Sequence, residues 1–183
     1  MSQKTNILLL NARDGVDLGS TNTVYTAQSV VFSRDETLLA SQSSVGEVSI
    51  WETKTGKLVE QLTPIADRCF GLAWNTDASR IIYCHAMDGV AIWDRNARRI
   101  ITRIDSVGGN VWSIALSPDG KRLAAGAQDR VCHIYDIPSG DEVLQLRERV
   151  GSVMSVVWSP DGRTLPSGGY DRKVVVRRAP VAK

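Results

Sequence analysis

Short apolar runs rich in β-branched and aromatic residues alternate along the chain with clusters of Ser, Pro, Asp and Gly. That alternation predicts strands and tight turns, and no stretch has the spacing of an amphipathic helix. Residues 111–146 show the pattern most clearly. Val111 to Leu116 reads as a strand, and Ser117-Pro118-Asp119-Gly120 as a type I turn. Leu123 to Gly126 is a second strand, Asp129-Arg130 a tight turn, and Val131 to Tyr135 a third strand. Pro138-Ser139-Gly140 then turns the chain into Val143 to Leu146.

The same unit recurs with a period of 42 residues. Trp51, Trp93, Tyr135 and Arg177 share one column, and Phe32, Trp74, Leu116 and Trp158 a second. Asp35, Asp77, Asp119 and Asp161 form a third; Leu39, Ile81, Leu123 and Leu165 a fourth; Ile50, Ile92, Ile134 and Val176 a fifth. Four antiparallel strands in one repeat make a sheet that cannot bury both faces alone, so successive copies must stack face to face around an axis. The predicted fold is all-β: a propeller of four-stranded antiparallel blades, about four per chain. Residues 1–28 are a partial blade able to donate a strand; 29–70, 71–112 and 113–152 are repeats, and 153–183 is an incomplete fourth repeat.

Several of these segments together resemble the WD-repeat family. They are Ser117-Pro118-Asp119-Gly120, Ser159-Pro160-Asp161-Gly162, Leu165-Pro166-Ser167-Gly168-Gly169, Ile92-Trp93-Asp94, and Ile50-Trp51-Glu52 with Thr55-Gly56 following. The resemblance spans residues 28 to 178. It implies a rim on which partners touch the residue four before the Phe/Trp column, here Gln28, Phe70, Trp112 and Met154. It also implies contact at the residue preceding the turn aspartate: Met87, Gln128 and Tyr170, before Asp88, Asp129 and Asp171. Aromatic and Met side chains grouped on one rim suit a binding hot spot, or else they pack between blades.

The chain also departs from that family. No loop carries the Gly-His pair that feeds the family's buried His–Ser–Asp–Trp network. His85 and His133 fall at other positions, and Asp129 and Asp171 belong to repeats whose third strands present Tyr135 and Arg177 in place of Trp. Apolar packing is therefore expected to hold the blades together. Pro166 stands where the other copies have Ala40, Ile82 and Ala124, and removes a ladder donor inside a sheet. The fourth blade is expected to be the least stable. Arg177-Arg178 is either a basic docking edge or a solvated chain end.

Composition narrows the function. Lys and Arg number 22 against 20 Asp and Glu, so no excess field attracts nucleic acid or an anionic membrane. Only four apolar residues, Ile7 to Leu10, follow the N-terminal hexapeptide, too few for a secretory or membrane-spanning segment. An intracellular protein, cytoplasmic or nuclear, is expected. Cys69, Cys84 and Cys132 are odd in number and widely spaced, which predicts buried thiols and neither a disulfide framework nor a metal site. The repeated aspartates are explained by turn geometry, since an Asp side chain accepts local backbone hydrogen bonds. With no cofactor cradle and no converging acid–base pair, the expectation is a non-catalytic scaffold for proteins or peptides. A propeller using its central channel for a small ligand or for catalysis is the rival reading, and a half-propeller that pairs with its own kind a further one.

Strand counting adds an expectation about closure. Ile7 to Leu10 aligns with a third strand, residues 16–21 with a fourth, and Val174 to Val176 with a third that lacks a fourth. Four blades closing alone would each fill about 90°, against about 51° in a ring of seven. Two chains are therefore expected to form an eight-bladed ring, each lending its N-terminal strand, unless a complementary propeller fragment closes it.

Overall fold

The computed structural model describes residues 27–62, 71–85, 89–105, 107–147 and 151–178, together with the backbone of 5–10 and 17–23. Every element in them is a strand. β1 (Thr5–Leu10) and β2 (Asp17–Thr23) form an antiparallel pair. The first blade is β3 (Ala27–Phe32), β4 (Leu38–Ser43), β5 (Val48–Glu52) and β6 (Leu58–Leu62). The second is β7 (Leu72–Trp74), β8 (Arg80–His85), β9 (Gly89–Asp94) and β10 (Arg99–Ile104). The third is β11 (Val111–Leu116), β12 (Arg122–Ala127), β13 (Val131–Asp136) and β14 (Glu142–Arg147). The fourth contains β15 (Val153–Val156), β16 (Thr164–Gly169) and β17 (Val174–Arg178). Each blade is a simple antiparallel meander, the topology that short turns enforce.

The blades stack in chain order. β3 packs against β7, β7 against β11, and β11 against β15, so the first strands form the inner row. Between the first two blades lie Ala40, Val48 and Ile50 on one side and Leu72, Ile81 and Ala91 on the other. Between the second and third lie Ile82, Ile92 and Ile104 against Ile114, Leu123 and Tyr135. Ala124, Cys132 and Ile134 meet Val153, Val156 and Leu165 at the last junction. Strand alternation puts one column on each face, so both faces of the middle blades are dry. Cys84 and Cys132 are buried in these layers, while Cys69 lies outside the described residues.

Indole groups add polar ties to the apolar packing. Trp74 Nε1 donates to the Val31 carbonyl at 3.1 Å, and Trp158 Nε1 to the Ala115 carbonyl at 3.2 Å. Each reaches back to the preceding blade from the same repeat position. Phe32 holds that position in the first blade and is 52% exposed, with Val30 beside it at 54%. At the opposite end, Val157 is 54% exposed and stands where Val31 and Ala115 receive those indoles. The row thus ends in two apolar faces of the kind that its own blades bury.

Pro166 has the local effect that its chemistry dictates. Its carbonyl accepts from Val157 N at 3.1 Å, but its nitrogen has no hydrogen to return to that partner. β15 ends at Val156, whereas β11 at the equivalent place runs on to Leu116. The strand offered to the fourth blade, residues 16–21, falls largely within β2, which is hydrogen-bonded to β1 along one edge.

Candidate functional site

The residues expected at the rim fall at β-bulges. Register shifts occur between Ala27 and Ser29, between Val111 and Ser113, and between Val153 and Ser155. The extra residues are Gln28, Trp112 and Met154, all in one repeat column. A bulge leaves one residue unpaired and re-aims its side chain. Gln28 and Met154 are exposed and Trp112 is half-buried.

Backbone bonds bring the second set alongside. Gln128 N donates to Asn110 O at 3.0 Å, and Tyr170 N to Ser152 O at 3.1 Å. Ser152 Oγ donates to Gln128 O at 3.2 Å, which links the third blade's rim to the fourth's. Gln128 is exposed and Tyr170 is 79% exposed. Trp112, Gln128, Met154 and Tyr170 are thereby held along one edge by four neighbouring segments. Phe70, Met87 and Asp88 lie outside the described residues.

The turn aspartates serve their own turns. Asp119 Oδ1 accepts from Ser117 Oγ at 2.6 Å and from Lys121 N at 3.0 Å. Asp161 repeats this with Ser159 and Arg163, and Asp35 with Ser33 and Thr37. Asp77 accepts from the hydroxyl and amide of Ser79. The serine hydroxyl is the main cause that holds each carboxyl below its usual value, with the amide second. Asp129 and Asp171 each accept from the amide two residues on, Val131 and Lys173.

The third-strand column shows how the chain replaces the network that it lacks. Trp51 Nε1 donates to Ser41 Oγ at 3.0 Å, and Arg177 Nη1 to Ser167 Oγ at 3.2 Å, three repeats later. Arg177 also donates through Nη2 to the Arg147 carbonyl, so its guanidinium is held, while Arg178 is exposed. Trp93 Nε1 and Arg95 Nε both donate to Glu60, across to the first blade. In the third blade His133, buried, contacts Glu142 through Nδ1 and Asp129 through Nε2 and stacks on Tyr135. Burial, then the charges of Glu142 and Asp129, pushes the Tyr135 phenol well up. For Glu142, burial is outweighed by hydrogen bonds from Gln145 and His133, and its carboxyl lies below its usual value. Sequence reasoning missed this His133 cluster, because its partners are nine and four residues away on separate elements.

Along the inner row, a cavity of about 440 Å³ is lined by β3, β7 and β11, with Trp74, Asn75 and Leu116 among its walls. Arg34 is the single ionisable residue among its described lining residues.

Four meander sheets stacked through their faces, with their first strands innermost, define the β-propeller class. The 42-residue register, the Ser-Pro-Asp-Gly turns and the Trp columns refine this to a propeller built of WD-type repeats. Residues 72–161 match the family model described as the anaphase-promoting complex subunit 4 WD40 domain. Comparison with individual curated proteins finds no match. No helix among the described residues is long and apolar enough to cross a membrane.

Proposed function

We propose that this chain is a non-catalytic scaffold that binds other proteins or peptides through the rim formed by Gln28, Trp112, Met154, Gln128 and Tyr170, with Phe70 and Met87 as further rim positions of the same columns. One observation carries this reading: the three described residues of the first set are each the extra residue of a bulge, which turns side chains of unrelated chemistry toward one edge. Trp and Tyr on such an edge are typical anchors, large in area and low in conformational cost. The buried thiols fit an intracellular setting. Affinity capture with the intact chain identifies a partner, and titration then tests the rim. Trp112→Ala and Tyr170→Ala are each expected to weaken binding by about 2 kcal/mol or more. Unchanged affinity in both, with native circular dichroism, contradicts the assignment.

A second reading concerns the partner that completes the ring. Phe32 and Val30 at one end and Val157 at the other lie in the register through which successive blades dock, so one chain's fourth blade fits a second chain's first. Two copies related by a two-fold axis make two such junctions and an eight-bladed ring. A complementary propeller fragment is the alternative occupant.

A further inference from the structure

We propose that the groove between the third and fourth blades is a second docking site, for an acidic segment of a partner protein that carries one large apolar side chain. The inference rests on the scaffold reading but on a different surface from the rim. The repeat supplies its own controls. At the first junction Trp93 and Arg95 close the groove by donating to Glu60, and Arg95 also lies 5.6 Å from the Trp74 ring centre. At the second, Tyr135 fills the same place and is buried. At the third the column residue is Arg177, whose guanidinium is drawn to Ser167 Oγ and the Arg147 carbonyl. A groove of about 420 Å³ is left open over Ile134, Leu144, Leu146, Trp158 and Leu165.

The charge at its mouth has changed with the filling. In the second and third blades, Arg80 pairs across the strands with Asp94, and Arg122 with Asp136. In the fourth, Thr164 and Arg178 are the opposed residues, so an arginine replaces the acid and its basic partner is gone. Arg122, Arg163, Arg177 and Arg178 all line the groove. Among the described residues, Asp136 is taken by Arg122, and Asp161 is held in its turn by Ser159 and the amide of Arg163. No carboxylate among the described residues pairs with Arg178. An apolar floor under a ring of guanidinium groups complements an aromatic or large aliphatic side chain flanked by Asp or Glu, with Arg well suited to bidentate carboxylate contacts.

A fluorescein-labelled short peptide of Asp and Glu around one central Trp, titrated with the purified chain by anisotropy, tests this. Saturable binding that weakens with added salt is expected, with loss of binding when the Trp is replaced by Ala or the acids by Lys. Arg178→Glu is expected to weaken it by about tenfold or more. Arg177→Trp restores the plug used by the second blade and is expected to abolish binding while leaving the fold intact. Trp112→Ala is expected to leave peptide binding unchanged, which separates this site from the rim. Full binding by a folded Arg177→Trp variant overturns the proposal, as does equal binding of the peptide lacking Trp. A drop in the chain's mass on Arg178→Glu, by light scattering, also overturns it, by assigning the groove to a second copy.

Discussion

At the fourth position of the turn between the first two strands of each blade, the chain places Glu36, Ala78, Gly120 and Gly162, with φ of 59°, 56°, 72° and 68°. Glycine adopts this left-handed conformation without the Cβ clash that other residues meet. Two repeats therefore carry strain that the other two avoid, and Glu36 is exposed. Glu36→Gly is expected to raise the unfolding free energy by about 0.5–1 kcal/mol, measured by urea titration, after the added freedom of the unfolded chain offsets part of the gain. The aspartate one place earlier sets an acid limit. Asp35, Asp77, Asp119 and Asp161 have carboxyls lowered chiefly by the serine hydroxyl, so each stabilises the fold above its unfolded value. That contribution disappears as pH falls below about 4 and through the lower folded values. Thermal midpoints recorded from pH 6 to pH 3 are expected to fall over this window, and Asp119→Asn to flatten part of the decline.

At the level of elements, the fourth blade is the one that sequence and structure both single out. Val157 N reaches the Pro166 carbonyl, and β15 stops one residue earlier, because the reciprocal bond has no donor. Pro166→Ala, which introduces the residue found at Ala40 and Ala124, is expected to stabilise by about 1–3 kcal/mol and to lengthen β15. An unchanged midpoint together with unchanged amide protection at Val157 contradicts that account. The strands were legible because their apolar columns repeat every 42 residues without insertion, and the turns because Ser-Pro-Asp-Gly has few conformational options. The bulges were not legible: Gln28, Trp112 and Met154 have no chemistry in common, and a bulge is set by backbone register, which composition does not encode. Arg177 had a readable signal that was overlooked, namely a serine ten residues earlier, the same spacing that joins Trp51 to Ser41. The groove beside it follows from where the Arg177 guanidinium is drawn, toward Ser167 and the Arg147 carbonyl, seen once the blades are stacked.

For the whole molecule, the decisive feature is that apolar side chains lie exposed on the outer faces of the first and fourth blades. Trp74 and Trp158 dock backward onto Val31 and Ala115, yet Phe32 in the same column meets no preceding blade among the described residues, and Val157 meets no following one. Solvated apolar faces of this kind are unfavourable and are the sort of surface that association covers. A charge placed there opposes burial, so Phe32→Glu is expected to weaken any assembly while leaving the buried layers between the blades intact. The mass of the purified chain in solution, by light scattering across a dilution series, tests most directly whether these faces are interaction surfaces. The account predicts a stable species near twice 20.0 kDa that Phe32→Glu converts to the single-chain mass. A well-folded single chain at every concentration, with its thermal midpoint independent of dilution, contradicts it.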